Sequence, residues 1–485
     1  MKIQEHENMK TREHKNRAKI SFVVFLCSCV LVFSGAGCTK GLSPEVLKAS
    51  ERADVNVWGV IDDVDAYQAV LEDYRKLHPN LTLNFKRLRL EEYENALLEA
   101  LAEDRGPDVF LIHNDWTGKY LSKISPQPPS TKIAYQVVVG TIKKEQTWEL
   151  RTEPGITNKA FKDQYADVAI KDMIRAVNVS PVADKQDFQQ RILGIPVSID
   201  TLALYYNKDL LNAAGLPTPP ETWSQFQEQV KKLTKLDAQG NLLQSGAGFG
   251  TAFNVERAAD LASILMIQNG AEMADENGRP TFEAIPISLA GVRELPPAFQ
   301  ALQFYTDFAN PAKETFTWNN AQPNSLDAFI QGRTAFFFGY SYHLNQIRAR
   351  APKLNLGIAK LPQIDGNPVR NYANYWYWVA SKKAKNPDIA WNFLDFLAKP
   401  EESKKVLDII KRPAARKNLL PDQFNDEQVG AFASQVLTSV SWYRGKDPKA
   451  AEDALLNMIQ SVVAGTASVS DAIRFAVDKI NQTIQ

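Results

Sequence analysis

The chain has 485 residues, more than a single hydrophobic core usually organises, so two domains or lobes are expected. Hydrophobic residues make up 44% and charged residues 23%, as in an ordinary soluble globular protein. The 56 basic and 56 acidic residues cancel, which argues against the concentrated basic surface that a nucleic-acid partner requires.

The first forty residues have the pattern of an export signal. A polar segment with surplus basic residues precedes the apolar run 20–33, and small residues then lead to Cys38. This run is shorter than the roughly 20 apolar residues of a membrane span, so residues 1–37 are predicted to be a signal peptide. All three cysteines (Cys27, Cys29 and Cys38) lie here, which excludes a disulfide framework in the rest of the chain.

Cys38 follows Ala-Gly and resembles the lipidated cysteine of bacterial lipoproteins, although Gly35 stands where such signals usually have Leu. This resemblance implies a lipid anchor at Cys38, residues 38–53 as a tether, and a periplasmic or cell-surface location. The alternative is plain cleavage nearby, which would leave a free cysteine.

Residues 54–116 are predicted to form a βαβαβ unit. Apolar runs at 55–61, 81–85 and 108–113 have the length and composition of strands, with helices over 67–77 and 91–102 between them. Ligands of open α/β sheets lie beyond the carboxyl ends of the strands. The residues at these ends include Asp62, Asp115 and Trp116.

The segment 194–208 is predicted to be a strand with one acid, Asp200, in its apolar run. A carboxylate in that position is costly unless it is solvated or hydrogen-bonded. After this strand a helix is expected to end at Gly215, and Thr222 is expected to cap the next helix.

Aromatic residues cluster in the second half of the chain. Tyr340 and Tyr342 follow the predicted buried strand 334–338, and five aromatics occupy residues 372–378. The proline-rich stretch 125–191 has no functional pattern and is interpreted as a surface insertion with a helix near 168–177. The glycines at 246–250 lack the Lys-Ser/Thr of a phosphate-binding loop.

Three motifs together resemble one known family. The stretch 194–223 reads G-hydrophobic-P, an acid, L-Y-Y-N-K-D-L, A-G-L, P-P and T-W; residues 106–109 read G-P-D-V; and residues 387–401 read P-x-x-A-W-x-F-L-x-F-L-x-x-P-E. The chain from 54 to 485 thus resembles the extracellular solute-binding proteins of ABC importers, the class that includes maltose-binding protein.

The resemblance implies an α/β, two-lobe periplasmic-binding-protein-like fold of type II, whose chain crosses between lobes at a hinge. The expected N-lobe is 54–198, with the insertion at 125–191, and it is completed by a return over 379–422. The expected C-lobe is 199–378 with a return over 423–485.

The implied function is a carbohydrate receptor that closes on its ligand and delivers it to permease subunits in the membrane. Aromatic rings can cover the apolar faces of a sugar, and carboxylates can accept bonds from its hydroxyls. The expected ligand-binding residues are Asp62, Asp115, Trp116, Asp200, Tyr340, Tyr342, Tyr375, Trp376 and Trp442. Core packing is the alternative role for each aromatic, and it is preferred for Trp58 and Trp391.

The residues also leave two other functions open. One is an exported carbohydrate-active enzyme, for which Asp62-Asp63 and Glu401-Glu402 are the available acid pairs. The other is a receptor for a non-sugar solute such as a peptide or a polyol phosphate. The histidines share no metal-ligand spacing, so no metal site is expected. We also expect a monomeric binding protein without cofactor or catalysis.

Overall fold

The computed structural model describes residues 41–180 and 185–484. The predicted signal peptide and the lipidation site Cys38 lie outside the described residues. From Ser43 onward the chain forms one compact unit. Within the described ranges, none of the helices combines the length and apolar character that a bilayer crossing requires.

The strands of the described residues fall into three larger sheets and two hairpins. They are β1 (Ala53–Gly59), β2 (Leu81–Arg87), β3 (Val109–His113), β4 (Ile124–Ser125), β5 (Ser130–Val139), β6 (Glu145–Pro154), β7 (Ile174–Asn178), β8 (Phe188–Ile192), β9 (Asp200–Thr201), β10 (Ala203–Asn207), β11 (Lys235–Leu236), β12 (Leu242–Ala247), β13 (Thr334–Gly339), β14 (Leu356–Ala359), β15 (Asn371–Asn374), β16 (Trp376–Ser381) and β17 (Ser439–Val440).

The helices cover the faces of these sheets. They are α1 (Pro44–Ser50), α2 (Val64–Leu77), α3 (Leu90–Ala102), α4 (Thr117–Tyr120), α5 (Asn158–Gln164), α6 (Asp167–Met173), α7 (Lys208–Ala213), α8 (Trp223–Leu233), α9 (Ala258–Gln268), α10 (Pro297–Asp307), α11 (Ser325–Ile330), α12 (Tyr342–Arg350), α13 (Pro387–Leu397), α14 (Pro400–Ile410), α15 (Gly430–Ala433), α16 (Pro448–Val463) and α17 (Val469–Asn481). Short 3₁₀ turns include Asn114–Trp116, directly after β3.

The first lobe is built on a sheet of order β2-β1-β3-β16-β4. Strand β1 runs parallel to β2 and β3, as the βαβαβ pattern predicts, while β16 returns antiparallel to β3. Asp63 is the N-cap residue of helix α2, and its carboxylate accepts a hydrogen bond from the backbone N–H of Val64. This topology brings the ends of β1 and β3 to one edge of the lobe.

The second lobe has a sheet of order β11-β12-β13-β10-β14. All residues of β13 are buried, as expected for the apolar run TAFFF. Thr222 caps α8 by accepting from the backbone N–H of Gln225, and Gly215 has the left-handed backbone that ends α7, both as predicted.

Over the ranges that the structure describes, the chain crosses between the lobes three times, through a small sheet of order β17-β15-β9. The chain passes from one hydrophobic core to the other between Ile199 and Leu202, between Tyr372 and Ala373, and between Val436 and Trp442. The second change precedes the predicted crossing at 378/379, because 376–381 pair with β3 in the first sheet. The third falls well after the predicted 422/423.

The stretch 125–191 is more than a surface insertion. Its hairpin β5–β6 packs on α13, and Phe161, Tyr165 and Met173 are fully buried in the first core. The predicted helix near 168–177 ends at Met173, since 174–178 form a strand paired with β8. Part of the predicted tether is also structured, because α1 contacts the β5–β6 hairpin.

Candidate functional site

A cleft of about 1240 Å³ lies between the two lobes. Both lobes line it: the ends of β1 and β3 and helix α3 from the first, and α9, α12 and α16 from the second. Here "first wall" means Trp116, Trp376 and Asp115 with their neighbours, and "second wall" means Arg257, Asp260, Tyr342, Trp442 and Glu452.

The first wall is an aromatic cluster. The edge of one indole meets the face of the other at 5.1 Å between the ring centroids of Trp116 and Trp376. Trp116 also stacks on Tyr120 at 5.6 Å. The 3₁₀ turn after β3 and the start of β16 bring these rings together, because the two strands are neighbours in the sheet.

Asp115 places one carboxylate beside these rings. Its Oδ2 lies 3.4 Å from Nδ1 of His113, whose Nε2 is 3.1 Å from Asn374 Oδ1. Burial alone would raise the pKa of Asp115, but the neighbouring imidazole outweighs this and lowers it. Burial likewise opposes the charged form of His113, yet Asp115 raises its pKa overall. The carboxylate is therefore held ionised and ready to accept hydrogen bonds.

Asp200 lies at the base of the cleft and is only 4% exposed. It accepts bonds from the backbone N–H of Ser341 (3.0 Å), the Ser341 hydroxyl (2.7 Å) and the Thr201 N–H (2.9 Å). Burial raises its pKa, which these bonds only partly offset. The protein itself thus supplies several of the hydrogen bonds that the Asp200 carboxylate can accept. Through these bonds Asp200 joins β9 to the start of α12.

Arg412 also lines the cleft from the first lobe. Its Nη1 donates to Asp62 Oδ2 over 2.8 Å, and both side chains are largely buried. Asp62 follows β1 as predicted, but it is not among the residues that line the cleft, because its carboxylate is engaged by this guanidinium.

The second wall is organised around Arg257 and Asp260 at the start of α9. Arg257 Nε donates to Asp260 Oδ2 over 2.8 Å, and the Tyr340 hydroxyl donates to the same oxygen over 2.6 Å. Arg257 has a left-handed backbone (φ 58°). Glu452, on α16, places Oε1 3.8 Å from Arg257 Nη1.

The structure brings seven of the nine predicted residues to the cleft: Asp115, Trp116, Asp200, Tyr342, Tyr375, Trp376 and Trp442. Tyr375 is nearly buried, and its hydroxyl donates to Asp172 over 2.6 Å. Tyr340 lies in the second core instead of on the cleft surface, because β13 ends at Gly339 and the next residue turns inward. Asp62 lies behind Arg412.

Sequence reasoning misses most of the charged lining. Arg257, Asp260 and Glu452, and the neutral amide of Asn374, carry no local pattern that marks a site, since their roles arise from packing between distant segments. Arg412 differs from these residues, because it begins the R-P-A-A-R turn, a local pattern that the sequence itself contains. In residues 41–180 and 185–484, no group of three or more His, Cys, Asp or Glu side chains could hold a metal ion.

A family model described as bacterial extracellular solute-binding protein matches residues 59–404. The maltodextrin-binding protein of Bacillus subtilis is 26% identical over 328 residues, covering 64% of this chain and 72% of that protein. The galactooligosaccharide-binding protein of the same organism is 21% identical over 406 residues, covering 84% and 82%.

Solved structures show the same architecture. The maltose-binding periplasmic protein of Listeria monocytogenes, in complex with maltose, has a TM-score of 0.65 at 18% identity and covers 89% of this chain and 99% of its own. A cyclo/maltodextrin-binding protein complexed with maltotetraose also has a TM-score of 0.65, at 18% identity, with coverage of 90% and 98%. At such identities the likeness establishes the fold.

Proposed function

The chain belongs to the family of bacterial extracellular solute-binding proteins, and from this premise we propose that it is the receptor of an ABC importer that captures an oligosaccharide. Its fold is the two-lobe α/β fold of type II periplasmic binding proteins, as the sequence predicts. The observation that carries the proposal is the cleft between the lobes, which is lined by aromatic rings, most closely packed around Trp116 and Trp376, and by paired charges from both lobes.

The size of the cleft favours an oligosaccharide over a single sugar ring. Small-molecule sites usually have volumes of roughly 300–1,000 Å³, and this cleft has about 1240 Å³. Rings such as Trp116 and Trp376 can cover the C–H faces of successive sugar units, while Asp115 accepts bonds from hydroxyls.

Capture proceeds by closure of the lobes. A ligand that touches both walls interacts more strongly with the closed state than with an open one, so binding shifts the population toward closure. The hinge is the small β17-β15-β9 sheet with its flanking segments. The closed receptor then docks on permease subunits in the membrane and acts as a monomer tethered through Cys38.

Catalysis is the second candidate, and the positions of the acid pairs weigh against it. Asp62 is bound to Arg412, and Asp63 caps α2 and pairs with Arg87 over 2.9 Å. Glu401 and Glu402 begin α14, outside the cleft, where Glu402 is bound by Lys405. Neither pair presents two free carboxyl groups to a sugar in the cleft, and the family consists of binding proteins.

The test is a thermal-shift and calorimetric screen of the purified exported protein. The probes are maltotriose, cellobiose, mannobiose and galactobiose, with a tripeptide and glycerol 3-phosphate as non-sugar probes. A sugar at 100 times its dissociation constant stabilises the fold by about 2.7 kcal/mol. Binding of a sugar that is recovered intact supports the proposal. Cleavage of the sugar would favour an enzyme, and a response only to the non-sugar probes would overturn the carbohydrate assignment.

A further inference from the structure

Among the described residues four arginines line the cleft, and the two less exposed ones, one from each lobe, share a single arrangement. Arg257 of the second lobe donates through Nε to Asp260, and Arg412 of the first lobe donates through Nη1 to Asp62, both over 2.8 Å. Each guanidinium is therefore fixed by one carboxylate at its own wall.

The rest of each guanidinium is free to bind a ligand. A guanidinium has five N–H donors, and in the described part of the chain neither of these two guanidinium groups makes a hydrogen bond beyond the one named. Glu452 approaches Arg257 Nη1 only to 3.8 Å, too far for a hydrogen bond. The two side chains keep 25% and 13% of their surface exposed, and both residues line the cleft.

Arg257 is held especially firmly. Its backbone has φ 58°, which is rare for a residue with a side chain and is found mostly where surrounding contacts enforce it. Its guanidinium lies 5.9 Å from the centroid of the Tyr340 ring, and the Tyr340 hydroxyl bonds the same Asp260 oxygen. This rigidity reduces the entropy lost when a ligand binds.

The charge around each arginine decides which ligand fits. Arg257 has Asp260 and Glu452 beside it, and Arg412 has Asp62 in contact and interacts electrostatically with Asp200. At each place the two carboxylates named outnumber the arginine, so an anionic group bound there would gain little from the arginine and would be repelled by the acids, even though Arg87, Arg89, Lys119 and Lys449 also line the cleft. Adjacent hydroxyl oxygens of an uncharged sugar can accept from the planar fork without that penalty.

We propose that Arg257 and Arg412 are the specificity-determining residues of the cleft: each is neutralised by its carboxylate, binds neighbouring hydroxyls of an uncharged oligosaccharide, and thereby excludes carboxylated or phosphorylated sugars. The proposal rests on the function proposed above and names its ligand class. Lysine cannot replace either arginine, because it offers one compact ammonium in place of a planar fork.

The experiment uses calorimetry on the exported protein with matched neutral and acidic probes. The neutral probes are maltotriose, cellobiose, mannobiose and galactobiose, and the acidic probes are the same sugars oxidised to uronates at C6. The variants are R257K and R412K, with R350K as the control. Arg350 is an exposed arginine of the second lobe that pairs with Asp327 and lies outside the cleft.

We expect the wild-type protein to bind a neutral probe at least 100-fold more tightly than its uronate. R257K and R412K should each weaken neutral binding at least tenfold, while R350K should bind as the wild type does. D260N, which leaves the charge of Arg257 less compensated, should reduce the preference for the neutral probe, and D62N should do the same at Arg412. The D62N test stands if D260N fails to fold.

Equal or tighter binding of the uronates by the wild-type protein would overturn the inference while leaving the receptor function in place. Wild-type affinity in both lysine variants would also overturn it. If the wild-type protein binds none of the eight sugars, the proposed carbohydrate function itself fails and the inference fails with it.

Discussion

The two walls of the cleft differ in what they offer a ligand. The first wall presents packed rings, with the centroids of Trp116 and Trp376 5.1 Å apart and the Asp115 carboxylate beside them. The second wall presents a charge network, in which Arg257, Asp260 and Tyr340 are joined by bonds of 2.8 and 2.6 Å. Rings recognise the faces of a sugar and fixed dipoles recognise its hydroxyls, so the lobes contribute different parts of the recognition.

For both walls to contact one ligand, the two lobes must face each other across the cleft. One buried acid, Asp172, makes contacts that join the two lobes. Asp172 on α6 of the first lobe is 1% exposed and lies 2.5 Å from Arg444, in the segment that follows Trp442 of the second core. Tyr375 and Ser441 donate to the same carboxylate. Gly118 and Gly445 also pack closely across this joint, because a Cβ added to Gly118 would lie 2.3 Å from the Gly445 carbonyl oxygen and would clash with it.

Asp172→Asn is the change expected to have the largest effect. It leaves Arg444, which is 15% exposed, without its carboxylate, and breaking such a buried pair costs about 3 kcal/mol. Urea unfolding measures the loss. Asp167→Asn on the same helix is the control, since its pair with Lys417 is exposed and is worth roughly 0–1 kcal/mol. Equal stability of the two variants would show that this joint does not hold the walls together.

Trp376→Ala tests the first wall. It removes a ring that lines the cleft and deprives Trp116 of its edge contact, so oligosaccharide affinity should fall by about 2 kcal/mol, roughly 30-fold. Calorimetry with the tightest sugar of the screen measures the change. Trp58→Ala is the matched control, because that indole packs against Lys86 and lies outside the cleft. Unchanged affinity in Trp376→Ala would remove the aromatic role of this wall.

Trp442→Ala tests the one indole of the second wall. Its ring lines the cleft but is 8% exposed and also meets Phe282 at 6.3 Å, so part of its role is packing. We expect affinity to fall at least tenfold, about 1.4 kcal/mol. A thermal melt separates this from lost stability, and Phe475→Ala, an exposed residue of the same lobe, is the control. If Trp442→Ala lost more affinity than Trp376→Ala, the second wall would provide the more important aromatic contact, contrary to the comparison made above.

The sequence predicts local structure better than it predicts which residues form the two walls of the cleft. Apolar runs and the caps Asp63 and Thr222 mark their elements, because those signals act over a few residues. The ion pair of Asp62 with Arg412 joins residues 350 positions apart, and no local pattern encodes it. The run 372–378 suggests alternating faces, yet Tyr377 and Trp378 are both buried, since β16 is an inner strand of the first sheet.

Asp395→Asn examines a carboxyl of the first lobe that belongs to neither wall. It lines a separate cavity of about 390 Å³, where burial raises its pKa to about 7 although Gln127 and Ile156 donate to it. The folded state thus holds a proton that the unfolded state releases near pH 3.8, so folding stability falls as pH rises from about 4 through 7.

An asparagine at this position does not titrate and should remove that loss. We expect the free energy of unfolding of Asp395→Asn, relative to that of the wild-type protein, to be about 2–3 kcal/mol higher at pH 8 than at pH 5, as urea unfolding at the two pH values would measure. Asp408→Asn, an exposed carboxyl on α14 paired with Lys404, should show no such dependence. Sugar affinity should stay constant in both variants, because neither residue touches the cleft. A change in affinity with Asp395→Asn would mean that recognition extends beyond the two walls into the body of the first lobe.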